Sequence, residues 1–174
     1  MTVYRTNNTY VATSTAFTPG ATPQDIFTIT GSATTNVYVI KMGISTLQTT
    51  AGANAFFVAK RSTANTGGTS AAPTIVQYQS TNVAPTATVL QYTVTPATNG
   101  TLVGYAWGGW INSPAVATAG VGSDLFEVDF IDSFGEPMTL LSTSEVVGWN
   151  FKGAALPPGL SVIAYVVWYE ASKT

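Results

Sequence analysis

From residue 25 onward, short apolar runs alternate with turn residues, and no stretch carries an apolar repeat at the 3.6-residue helical period. Runs rich in β-branched and aromatic residues predict strands over 26–30, 37–44, 55–61, around 75–78, 88–94, 102–111, 125–131, 140–141, 146–151 and 160–170. Turn chemistry separates them: Gly67-Gly68 in a polar loop running from Ser62 to Pro73, and Pro157-Pro158-Gly159 before the last run. In 125–131, Phe126, Val128 and Phe130 fall on one face, with Glu127 and Asp129 on the other. Tyr105 and Trp107 are two apart and so predicted to share a face. Trp110 has the opposite parity unless Gly108-Gly109 forms a bulge. Unevenly spaced short strands predict an all-β protein, a single jelly-roll-like β-sandwich of about eight antiparallel strands over residues 25–174.

The first 24 residues have a different pattern. Asn7, Asn8, Thr9, Thr13, Ser14, Thr15 and Thr18 surround isolated Val11, Ala12 and Phe17, before Pro19-Gly20 and Pro23. This predicts an extended N-terminal arm ending in turns, which folds onto its own domain or reaches a neighbour.

Composition narrows the function. The chain of 174 residues has no histidine and no cysteine, is 8% charged and 45% hydrophobic, and carries a net charge of −2. Histidine is the usual base near neutral pH and the commonest metal ligand, and cysteine is the soft nucleophile. Lacking both, the chain is expected not to be an enzyme, and no cofactor or metal is implied. No basic run points to nucleic acid. No apolar segment has membrane-helix length, and the opening Met1-Thr2-Val3-Tyr4-Arg5 is unlike a signal peptide, so synthesis in a cytoplasm is expected. So few charges on one domain favour association between subunits, hence a homo-oligomer.

Few residues remain as candidates for chemistry. The acidic stretch Asp124, Glu127, Asp129, Asp132 and Glu136 fits the polar face of a strand plus an acidic turn better than a calcium site or a glycosidase pair. Tyr105, Trp107 and Trp110 fit a core or a subunit interface better than a sugar-stacking platform. Lys60-Arg61, the only adjacent basic pair, leads into the glycine-rich loop. It anchors that loop to a neighbour's carboxylate or ends a strand in solvent. Candidate partner-binding residues are therefore Tyr4, Tyr10, Phe17, Lys60, Arg61, Tyr105, Trp107 and Trp110.

Several stretches together resemble one group of proteins: Ile26-Phe27-Thr28-Ile29-Thr30-Gly31-Ser32-Ala33, Phe57-Val58-Ala59-Lys60-Arg61-Ser62-Thr63-Ala64-Asn65-Thr66-Gly67-Gly68-Thr69, Ala71-Ala72-Pro73-Thr74, and Gly159-Leu160-Ser161-Val162 leading to Trp168-Tyr169-Glu170. They resemble small tailed-bacteriophage virion proteins that look like capsid decoration (cement) proteins. The resemblance covers most of 26–170, and not the first 25 residues. It implies a jelly-roll-like sandwich on the outer surface of a phage head, commonly a trimer, clamping adjacent subunits of the major capsid protein. It brings no catalytic residues. The alternative is a carbohydrate- or receptor-binding module of a phage tail or head fibre, using Tyr105, Trp107 and Trp110. A hydrolase built on Glu127 is the weakest option.

Overall fold

The computed structural model describes residues 8–21, 23–94, 96, 98–113, 115, 125–156 and 159–173. The protein is all-β. Among the described residues, twelve strands form two six-stranded sheets, in an arrangement compatible with a β-sandwich. The first sheet contains β1 (Asn8–Thr13), β3 (Thr35–Leu47), β6 (Ile75–Gln77), β9 (Leu125–Asp129), β10 (Met138–Leu140) and β12 (Ser161–Ser172). Its order is β10-β3-β12-β1-β6, with β9 also paired to β3. The second contains β2 (Asp25–Thr30), β4 (Gly52–Arg61), β5 (Thr69–Ala71), β7 (Thr88–Val94), β8 (Leu102–Ser113) and β11 (Val146–Asn150), in the order β5-β7-β2-β11-β4-β8. Every strand pair is antiparallel.

Alternation explains which side chains go inward. On β12, Val162, Ala164, Val166, Trp168 and Glu170 are buried while their neighbours are more exposed, the period-2 pattern of a strand with one covered face. β2 and β11, in the middle of the second sheet, are buried almost throughout. The two sheets share one core containing Phe56, Phe27 and Trp149 from one side and Tyr10, Met42, Ile44 and Trp168 from the other. Burying each such side chain contributes about 1.5–3 kcal/mol. The indole nitrogen of Trp149 donates to the Gly43 carbonyl across the core at 3.0 Å. Gly43 lacks a side chain for a steric reason: the Tyr165 ring already occupies that space.

Three local expectations change. Residues 8–13 of the expected arm form β1, a strand inside the first sheet between β12 and β6, so this part of the arm folds onto its own domain. Tyr10 and Ala12 are fully buried, and the Tyr10 ring lies 5.5 Å from that of Trp168. Residues 1–7, with Tyr4, lie outside the described residues. The strand expected over 125–131 stops at Asp129, because that carboxylate accepts the amides of Ile131 and Asp132 at 3.0 and 3.1 Å. This caps a short helix, α1 (Phe130–Phe134), which Gly135 ends in the left-handed region at φ 82°. Finally, the loop after Arg61 contains β5, reached through Gly67 and Gly68, both at positive φ. No helix among the described residues is long and apolar enough to cross a membrane.

Candidate functional site

The Lys60-Arg61 pair divides between two tasks within this chain. Lys60 lies opposite Val147, whose side chain is in the core, so it too points between the sheets. Its Nζ donates to the Thr139 carbonyl of β10 at 3.0 Å, tying the second sheet to the first. Arg61 is buried and forks onto Asp25 through Nε at 2.6 Å and Nη2 at 2.9 Å. Asp25 also accepts from Asn65 at 2.7 Å and Asn150 at 2.6 Å. Arg61 Nη1 reaches the Gly100 carbonyl at 2.7 Å, and the Gly100 amide donates to Asn65 at 2.8 Å. The carboxylate that anchors the loop therefore belongs to this chain rather than to a neighbour. Both charges are desolvated and every partner is met, which is the condition for such a network to hold a structure in one arrangement.

The aromatic trio is split. The β4–β8 register slips between Val58/Trp107 and Ala59/Tyr105, leaving Ala106 as an extra residue. This bulge reverses the expected parity: Trp107 turns inward and Tyr105 outward, joining Trp110 on the outer side. Trp107 packs against Phe56, Phe126 and Trp149 at ring separations of 5.6, 6.0 and 6.2 Å. Tyr105 lies against Phe57 at 5.2 Å, and the Lys152 ammonium covers both rings, 3.7 Å from Phe57 and 4.1 Å from Tyr105. Lys152 adopts a left-handed backbone at φ 56°, held by its amide's bond to Asn150 Oδ1 at 2.6 Å. Trp110 alone of the three is largely free, at 67% exposed.

Of the remaining candidates, Tyr10 and Phe17 belong to the core and not to the surface. The Tyr10 hydroxyl donates to the Val83 carbonyl at 2.8 Å, and Phe17 is bridged to Val162 by two backbone bonds. In the acidic stretch, Glu127 and Asp129 share Lys41, at 2.7 and 3.5 Å. The Tyr165 hydroxyl donates to Glu127 as well. The hydrogen bond to Glu127 raises the Lys41 pKa above its ordinary value. These carboxylates are thus committed to a cation and a helix cap. Among the described residues no group of three metal-ligating side chains comes together; Asp124 lies outside them.

Two surface features remain. A groove of about 480 Å³ opens where β4 and β8 meet α1 and β10. Ala106, Phe130, Phe134, Pro137 and Met138 make its apolar wall, and Lys60, Glu136 and Thr139 its polar groups. Beside it runs β8, a terminal strand of the second sheet among the described residues, with Leu102, Val103, Tyr105 and Trp110 exposed. Sequence reasoning reached Lys60 and the aromatic strand but missed Asp25, Asn65, Asn150 and Lys152. The scarcity of charge was the available signal: an aspartate heading the apolar strand Ile26-Phe27-Thr28-Ile29 requires a partner. No family model, no curated protein and no solved structure matches this chain.

Proposed function

We propose that the chain is a structural protein of a phage virion, a jelly-roll capsid decoration protein that binds the outside of the head and clamps adjacent major capsid protein subunits. The strand orders support the jelly-roll part. Setting aside β5, β6 and β7, which lie between β4 and β8 in sequence, and the three-residue β10 beside β3, the order β1-β12-β3-β9 faces β2-β11-β4-β8. That is the two-sheet arrangement of an eight-strand jelly roll. Such a fold hosts many activities, so the function rests on surface and resemblance instead.

The observation that carries the reading is the kind of surface presented. A long uncharged strand borders one sheet, while the buried polar groups fasten loops to the body. A protein that works by covering junctions needs a rigid body, held loops and apolar contact area. The glycan-binding alternative is weakened because Trp107 packs inward and Lys152 covers the Tyr105 ring, which leaves only Trp110 of the three largely open.

The test is to mix the purified chain with phage heads lacking it and sediment them. The reading expects binding at a fixed ratio to the major capsid protein and a higher temperature of DNA release. Heads that sediment without the chain overturn it.

A further inference from the structure

Sheet borders expose unpaired N–H and C=O groups, and proteins that remain apart protect them with short strands, charges or proline. Among the described residues, three terminal strands are protected by length: β5, β6 and β10 have three residues each. β9 has five and carries Glu127 and Asp129. β8 differs from all four. It has twelve residues, and none between Leu102 and Ser113 is Asp, Glu, Lys, Arg or Pro. Val103 is 63% exposed, Trp110 67%, and Leu102 and Tyr105 41% each. The device it shares with protected borders is bulging: its register against β4 slips twice, at Ala106 and at Val103.

We infer that the β8 border is a self-association surface, where β8 pairs antiparallel with β8 of a second copy across a two-fold axis. The absence of charge selects this occupant. Directly opposed like charges destabilise a strand pair, so a strand can meet its own copy without that cost only if it is neutral. Two copies of β9 would bring Glu127 and Asp129 against their equivalents. The whole chain carries −2, so an uncharged contact is also where two copies repel least. Without proline, every residue of β8 has a backbone N–H, and the alternate ones that face away from β4 are left to donate. A two-fold axis makes the surface self-complementary, and Val103, Tyr105 and Trp110 of each copy are then covered by the other. Twelve residues at about 3.3 Å each give a contact roughly 40 Å long, joining the two second sheets into one. This pairing can form without a capsid, but it occupies the same β8 border that supports the capsid reading, and it differs from the three-fold association that the phage resemblance implies.

Light scattering on the purified full chain, after size exclusion, tests it. The mass should be twice the 18.1 kDa of one chain. Val103→Lys and Trp110→Lys, each placing a charge on the border, should return it to a single-chain mass with an unchanged circular dichroism spectrum. Tyr78→Lys, an exposed position away from β8, should remain double. A wild-type mass of one or three chains overturns the inference, as does a double mass that both lysine variants preserve. If the variants fail to fold, hydrogen exchange on the wild type decides. β8 amides that become less protected on dilution support the pairing, and exchange independent of concentration overturns it.

Discussion

Two carboxylates are buried to nearly the same depth and satisfied by opposite means. Asp25 has a guanidinium fork and two amide donors. Glu170 has no cation within ion-pair distance among the described residues. Instead it accepts from the amides of Thr86 and Ala87, the Trp168 indole and the Thr86 hydroxyl, at 3.0, 3.0, 3.0 and 2.6 Å, and from Thr35 at 3.2 Å. Both hold a loop to the body: Asp25 the segment around Asn65 and Gly100, Glu170 the segment entering β7. The difference lies in how each can fail. One side chain carries the whole opposing charge at Asp25, whereas at Glu170 the compensation is divided among small dipoles.

The sharpest break is Arg61→Ala, which leaves Asp25 charged with no cation and only the amides of Asn65 and Asn150. It should cost about 3–5 kcal/mol in urea unfolding. The double variant Asp25→Ala/Arg61→Ala should cost less than the two single changes added together. Strict additivity would show that the pair does not act as a unit. Next comes Glu170→Gln, which keeps the shape but turns an amide towards groups that donate; about 2–3 kcal/mol is expected. A loss equal to that of Arg61→Ala would erase the distinction between concentrated and divided compensation.

Asn65→Ala removes one of four bonds to Asp25 and the tie to Gly100, leaving the fork in place. About 1–2 kcal/mol should be lost, with faster proteolysis between Ser62 and Gly68 as the local readout. The smallest effect appears in alkali. Burial, and then the charge of Glu170, raises the Tyr10 phenol above its ordinary 10.0. Burial also raises Tyr92, against a lowering bond to Thr28 and with a further raising contribution from Asp25. A folded value above the unfolded one means the native state holds its proton more tightly. Stability from both groups is therefore complete below about pH 10 and declines as pH rises through the folded values. In phenolate absorbance titrations, Glu170→Gln should lower the Tyr10 transition and leave that of Tyr92 in place. Movement of both together would mean that the two sites are not separate.

Much of this was visible in the sequence, and the gaps have physical causes. The strands over 88–94 and 102–111 follow from β-branched and aromatic patterning. Position 170 shares the parity of 162, 164, 166 and 168, so an inward glutamate follows from alternation alone. β1 was obscured because one of its faces is lined by few apolar groups, Tyr10 and Ala12, among polar neighbours. The Asp25–Arg61 pair spans 36 residues, and nothing local to either one identifies the other. The bulge is the clearest failure. Glycines at 108 and 109 attract suspicion, but the slip lies at Ala106, where the cross-strand register and not the residue type decides. One displaced residue was enough to turn Trp107 inward against the core and Tyr105 beneath Lys152.

The position of β12 in the first sheet has a consequence for how the molecule is made. It lies between β3 and β1, touching both, yet it is translated after the other eleven described strands. Until it emerges from the ribosome, the two strands it joins have no common neighbour, and the inner face it completes with Val162, Val166 and Trp168 is open to solvent. Assembly is therefore forced late and towards all-or-none behaviour. Non-local pairing of this kind folds in about milliseconds to seconds rather than microseconds, and a chain stopped short of residue 161 would be a substrate for chaperones or proteases, not a smaller version of the same protein.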